Sequence, residues 1–466
     1  MSSSSPGIRR SLKILFVRPA ADPETIGLQH VMVVEPLELE VLATVVPAGD
    51  RPALADMLLD KRSLRDILAS ERPDVLCVTG YVTNVADMIG YCRLAKELLP
   101  GVATVVGGVH CEVCPDDLDD AAVDFRVVRN AVVVFPALLE HIRGNGPRPP
   151  AVFAPGEKVD MDALPPYDFT YPIPDRSLTK PYRRDYFYIF HQPVALVKTA
   201  FGCPYKCNFC FCRRVTRGAY HTRPLDQVLQ ELKGIEESDV YIVDDDFLVS
   251  RQAVMRFVEG VRREGIHKRY VVYGRADFVA RHPDVMREFR DAGLRTVIIG
   301  FESFDDAELA SFDKGTDAAT NEAAMRVVND LGLDCYATII LSPEWGRPEF
   351  ARLGRKLREL GIHYVNLQPL TPLPGTGIEV RADQLVISRK DYAKWDLAHV
   401  SVRPKKLTVG DYYGEIIKAY MQTLYQLRAY PRYLQQPPWM IWKMIRGSQR
   451  VRKQYLGKQR EARRGA

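Results

Sequence analysis

Ala195-Leu-Val-Lys-Thr-Ala-Phe-Gly-Cys-Pro-Tyr-Lys-Cys-Asn-Phe-Cys210 is a short apolar strand that runs into a loop carrying three thiols, Cys203, Cys207 and Cys210. Downstream, Val240–Val243, Tyr270–Tyr273, Thr296–Ile299, Cys335–Leu341 and Tyr364–Leu367 read as five more strands. Between them, Pro224–Glu237, Arg251–Glu264, Asp284–Ala292 and Asp317–Leu331 place apolar residues at helical spacing. Strands regularly followed by helices predict a parallel β/α barrel, complete or partial, with the thiols on the loop after its first strand. Past Pro374-Gly-Thr376 the pattern turns helical, at Asp391–Ala398, at Val409–Leu427 and around Trp439 and Trp442.

Upstream, a second alternation runs from residue 12 to 145. Leu12–Val17, Asp74–Thr79, Ala103–Val106 and Asp124–Val128 read as strands; Glu35–Val46, Val85–Leu99 and the apolar run ending at Leu139 read as helices. This predicts a doubly wound, Rossmann-like sheet, whose ligands sit beyond the carboxyl ends of its strands. Thr79, Tyr81, Gly107, Gly108 and His110 fall there. Residues 146–194 are proline-dense, which suits neither helix interiors nor central strands, and read as a linker. The expected plan is therefore a flexible terminus (1–11), a doubly wound domain (12–145), the linker, a barrel (195–380) and a helical region with a basic tail (381–466).

At 466 residues, 46% hydrophobic and 26% charged, the chain suits two or three globular domains. No apolar run approaches the roughly 18 residues of a membrane helix. The formal charge of +5 is local: Lys443 to Ala466 holds nine Lys or Arg against Glu461, and the rest is slightly acidic. A solvated terminal helix is the expected reading of that tail, with Trp439 and Trp442 packed inward and no stable membrane association. Nine cysteines and no export signal point to the cytoplasm.

Three thiolates on one loop can hold three irons of a cubane and leave the fourth open, whereas a closed zinc site needs a fourth ligand, for which Cys212 is available. Strand-loop cysteines atop a barrel differ from the paired knuckles of zinc ribbons, which favours the iron cluster.

With its C-x3-C-x2-C spacing and the aromatic Phe209 before the third cysteine, this loop resembles the cluster loop of the radical S-adenosylmethionine (radical SAM) superfamily. Asp244-Asp-Asp246, Gly274-Arg275, Gly300-Phe-Glu-Ser303, Lys314-Gly-Thr316 and Thr371–Thr376 follow in the order of the class with an N-terminal cobalamin-binding domain, which Val106-Gly-Gly-Val-His110 also resembles. The resemblance implies a 4Fe-4S cluster on Cys203, Cys207 and Cys210, whose open iron chelates SAM. It also implies cobalamin near Thr79, Tyr81, Gly107, Gly108 and His110, where bulk at Gly108 is expected to block the corrin. No Asp-x-His-x-x-Gly motif supplies a lower ligand to cobalt, and Arg129-Asn-Ala-Val-Val133 stands where the family has Gly-Glu-Gly-Glu.

For SAM, the resemblance points to Phe209, Asp245, Asp246, Arg275, Glu302 and Ser303. Each also has a plain structural reading. The aspartates can cap the following helix, and Arg275 can pair with Asp277. Glu302 and Ser303 project at the barrel mouth. The implied function is methylation of an unactivated carbon of a small-molecule secondary metabolite, through a 5′-deoxyadenosyl radical and methylcobalamin, with an external low-potential electron donor and no nucleic acid partner. A non-methylating rearrangement, cyclisation or ring contraction is the alternative within enzymes, and a cluster-bearing sensory or interaction module the alternative outside them.

Overall fold

The computed structural model describes residues 10–424 and 436–464. The expected flexible terminus lies, but for its last two positions, outside the described residues. So do positions 425–427 of the helix expected at Val409–Leu427, which is described as Val409–Leu424. The chain forms two units, Met1–Asp22 with Pro36–Arg183 and Pro23–Glu35 with Arg184–Ala466.

In the first unit the apolar runs become a six-stranded sheet. β1 (Lys13–Arg18), β2 (Arg51–Asp56), β3 (Val75–Thr79), β4 (Ala103–Gly107) and β5 (Phe125–Val127) are parallel, and β6 (Val152–Phe153) is antiparallel to β5. All five residues of β3 are buried, as a central strand covered on both faces requires. The spatial order β2-β1-β3-β4-β5-β6 reverses between β1 and β3, and the crevice beyond their carboxyl ends is where such sheets hold ligands. The sequence reading passes over β2 because Pro52 interrupts it; an edge strand tolerates that proline. The proline-dense segment contributes β6, and its residues up to Arg183 belong to this unit.

In the second unit, β7 (Val194–Val197), β8 (Asp239–Ile242), β9 (Arg269–Gly274), β10 (Leu294–Glu302), β11 (Asp334–Leu341) and β12 (Tyr364–Pro369) pair in parallel, each with its neighbours in sequence. β7 and β12 are the sheet's edges, so the barrel is partial. Helices Leu225–Gly234, Arg251–Arg263, Pro283–Asp291, Ala318–Asp330 and Arg347–Glu359 bury their apolar faces on the strands. At the strands' amino ends, buried Asp239 accepts from His191 Nδ1 at 2.7 Å and Arg269 Nε at 2.9 Å, and His191 Nε2 meets Thr296 Oγ1 at 2.9 Å. Tyr188, Tyr241, Tyr273, Tyr336 and Tyr364 form an aromatic chain with successive centroids 4.7–6.0 Å apart.

Two expectations are corrected in the helical region. Asp391–Ala398 is not a helix but one 3-10 turn, Tyr392–Lys394. Asp396 takes the backbone amides of Ala398 and His399 at 2.9 and 2.8 Å and pairs with His399 Nδ1 at 2.8 Å, which offers the backbone an alternative to helical bonds. Trp439 and Trp442 do not pack inward; they are 52% and 58% exposed. In their helix, Pro438–Arg464, the inward face belongs to Met440, Met444, Gly447 and Tyr455, and the tryptophans fall on the opposite side.

Candidate functional site

The cysteine loop leaves the carboxyl end of β7 and is fixed from several sides. Asp244, after β8, is buried and accepts from the amides of Thr199 and Ala200 at 2.6 and 2.9 Å, setting the turn that launches the loop. Gly202 has φ +75°, and a side chain there would run into the carbonyl of Ala219, so only glycine suits the position before Cys203. Asn208 ties the loop's far end down: its amide reaches Phe312 O at 3.2 Å, its Nδ2 reaches Ser311 O at 2.8 Å, and its carbonyl accepts from Gly377 N at 2.6 Å. Phe209 lies edge-on to Phe312, with centroids 5.6 Å apart.

Cys203, Cys207, Cys210 and Cys212 are all free thiols with partial exposure. Burial pushes Cys203 up to about 12 and raises Cys207 as well, whereas the Cys212 thiol beside Cys210 holds Cys210 below its ordinary value. Thiols that resist ionisation on their own become thiolates when a metal supplies the compensating charge. The three thiols on one pinned loop, two of them raised and Cys210 lowered, with Arg275 Nη1 3.7 Å from Cys207 Sγ, fit an iron–sulfur cluster.

The six residues expected around SAM divide into engaged and available groups. Ser303 is 2% exposed and donates to Glu308, while its Oγ accepts from Asp305 N at 3.1 Å; it is a structural hydroxyl. Glu302, at φ +62° where β10 and β11 shift register, is buried with Lys314, whose Nζ sits 3.0 Å from its Oε1. Arg275 donates to Asp277 at 3.0 Å and to Lys314 O at 2.7 Å, and stacks on Tyr205 at 3.9 Å, so its fork is spent within the protein. Asp246 differs. It is 3% exposed, and one oxygen accepts from Leu248 N at 3.0 Å while Oδ2 has no partner. Burial pushes this carboxyl up to about 7, against the pull of Arg275. Asp245 is partly exposed and interacts with Cys212. Phe209 remains partly accessible.

In the first unit, Tyr81, Gly107 and Gly108 are accessible at the strands' carboxyl ends, while Thr79 and His110 are buried. His110 Nε2 is 3.0 Å from Asp117, so its imidazole is committed within the unit. Gly108 has φ +94°, and a Cβ there would strike Thr79 Oγ1 at 2.5 Å; its glycine serves the backbone, which corrects the expectation that bulk there would test the corrin directly. A Cβ on Gly107 would meet nothing nearer than Val127 O at 3.7 Å. This open edge would admit a flat ligand such as a corrin. At Arg129-Asn130, Arg129 donates to Pro165 O at 2.9 Å and Asn130 to Pro166 O at 2.8 Å, so the proline-dense segment is fastened where the family's glycines would stand.

Residues 197–357 match the radical SAM superfamily and residues 24–139 match the B12 binding domain. The chain is 31% identical to the hopanoid C-3 methylase of Methylococcus capsulatus over 408 residues, which is 84% of this chain and 76% of that protein. Among solved structures, the radical SAM methyltransferase TsrM from Kitasatospora setae, with cobalamin and a [4Fe-4S] cluster bound, matches 98% of this chain and 100% of its own at a TM-score of 0.68 and 16% identity. The cobalamin-dependent SAM radical enzyme OxsB matches 74% of this chain at a TM-score of 0.58 and 16% identity, and this chain spans about half (52%) of its length. The protein belongs to the radical SAM enzymes that carry an N-terminal B12 binding domain, and its cofactors are those of that family: a four-iron cluster, SAM and cobalamin.

Proposed function

We propose that this enzyme methylates an unactivated carbon of a polycyclic, hopanoid-type lipid, with Cys203, Cys207 and Cys210 holding the cluster. The observation that carries the site is the buried, unpartnered Oδ2 of Asp246, which lies within electrostatic range of Cys203 and Arg275. A lone carboxylate oxygen in such a place is costly unless something cationic meets it, and the ammonium group of SAM supplies that charge. The substrate class is supported by the hopanoid C-3 methylase, to which the chain is similar over most of both lengths.

When bound, the cluster and SAM supply a 5′-deoxyadenosyl radical and cobalamin supplies the methyl group. This chain's residues do the positioning. Asp246 would hold the SAM ammonium, and Phe209, packed on Phe312, would lend the site an aromatic wall. Arg275, fixed by Asp277 and Lys314 O, brings a positive charge to Cys207. Glu302 and Ser303 hold the end of β10 in shape through Lys314 and Glu308. Tyr81 and Gly107, accessible at the strands' carboxyl ends, would border cobalamin. The free thiols suit the reducing cytoplasm, where an external low-potential electron donor serves the cluster.

The test is anaerobic turnover of the reconstituted full chain with SAM and a hopanoid. Formation of 5′-deoxyadenosine and a product heavier by one methylene is expected. Deoxyadenosine with a product of unchanged mass would assign a rearrangement instead, and a loaded enzyme that turns over other substrates but no hopanoid would remove the substrate class.

A further inference from the structure

We infer that the helix Pro438–Arg464 docks on an anionic phospholipid surface. It runs 27 residues, too polar to cross a bilayer: no helix among the described residues is long and apolar enough to do so. Its inner face is occupied within the second unit. Tyr455 packs beside Tyr413 and Tyr420, Lys443 Nζ bonds Gln192 Oε1 at 2.6 Å, and Lys458 pairs with Glu24 at 2.8 Å.

The outer face is different in kind. Trp439, Trp442 and Ile445 are 52%, 58% and 44% exposed, and Arg446, Arg450 and Lys453 are exposed on the turns that follow. At 100° per residue, Trp439, Trp442, Arg446, Arg450 and Lys453 share one side of the helix. Across the helix, nine basic residues face a single acidic one, Glu461. Exposed tryptophan is rare on a water-facing helix, and tryptophans beside a basic stripe are the composition of helices that lie in the headgroup region, rings at the interface and cations on anionic lipid. The Arg446 guanidinium, 5.9 Å from the Trp442 centroid, sets a cation at the edge of the aromatic patch. Nucleic acid would satisfy the charge but leaves Ile445 without a purpose, so the lipid surface accounts for more of the face. The inference stands on this helix and not on the substrate class proposed above; a lipid substrate would be reached from the same surface.

The test uses the full chain with vesicles of phosphatidylglycerol mixed with phosphatidylcholine, and of phosphatidylcholine alone. The protein is expected to float with the anionic vesicles only, and to be released as salt rises. Of four tryptophans, Trp345 and Trp395 are 7% and 2% exposed, so a blue shift in fluorescence on adding vesicles reports Trp439 and Trp442. The double variant Trp439→Ala, Trp442→Ala, whose side chains are exposed, should keep its thermal transition and lose binding on the order of tenfold or more. Full-length protein that stays unbound at low salt, or a double variant that floats undiminished, overturns the inference. Salt-sensitive retention of an RNA oligonucleotide by a protein that ignores both vesicles also overturns it, assigning the basic stripe to nucleic acid.

Discussion

Cys203, Cys207 and Cys210 were legible because their spacing alone places three donors on one loop, and the structure pins that loop at Asn208. Serine at any of the three should abolish iron retention, while Cys212→Ser should keep it; iron content by anaerobic assay decides, and iron lost from Cys212→Ser would enlarge the ligand set. The acids were harder to read. Asp244, Asp245 and Asp246 are alike in sequence, and only the backbone decides that Asp244 is consumed by two amides while Asp246 keeps an unpartnered oxygen. A hydrogen bond to a charged group contributes about 1.5–3 kcal/mol. Asp246→Asn should therefore hold its iron and bind SAM about ten- to a hundredfold more weakly by anaerobic calorimetry; unchanged affinity would remove Asp246 from the site. In the first unit, Gly107→Val should lower cobalamin uptake without loss of stability, whereas Gly108→Val should destabilise the fold, since its Cβ meets Thr79 rather than open space. Equal thermal transitions for the two variants would contradict this.

Strands and helices were readable where the pattern is strong, and failed where local chemistry competes. All six barrel strands fall within a few residues of expectation, because apolar runs between turns leave little choice. Asp391–Ala398 failed because Asp396 bonds the backbone itself. The tyrosine layer was overlooked although Tyr241, Tyr273, Tyr336 and Tyr364 each stand on a different barrel strand, where alternation could have exposed a common face. At the amino end of β8, Asp239 joins this strand to His191 and to Arg269 of β9. Burial pushes its carboxyl up, but the hydrogen bonds from His191 and Arg269 outweigh that and hold it below its ordinary value. Its contribution to stability is thus present above the usual aspartate range of about 3.9 and is lost as pH falls through the depressed value. Asp239→Asn removes the charged acceptor that His191 and Arg269 share and, because the Arg269 side chain is half exposed and stays solvated, should cost about 1.5–3 kcal/mol by urea denaturation near neutral pH, a difference that narrows in acid. A variant as stable as the parent at neutral pH would show the network to be dispensable.

The class of the molecule could be read from its sequence, since two alternating patterns flank a proline-dense stretch, but the path of the chain could not. Residues 23–35 leave the first unit's sequence neighbourhood and belong to the second. Ile26 is 4% exposed in the barrel core, its amide bonds Asp396 Oδ2 at 2.7 Å, and Glu35 Oε1 accepts from Leu196 N of β7 at 2.6 Å, 161 residues away. Side chains that reach so far carry no periodic signal, so no local pattern announces them. The barrel therefore depends on a piece of chain that a cut in the proline-dense stretch would remove. Burying an isoleucine contributes about 1.5–3 kcal/mol, and a buried donor left unpaired costs about 1–3 kcal/mol more. A fragment of residues 184–466 should unfold at markedly lower urea than the barrel transition of the full chain. Glu35→Ala in the intact chain should reproduce the hydrogen-bond part of that loss, while a fragment matching the full chain's transition would show that 23–35 merely rests on the barrel.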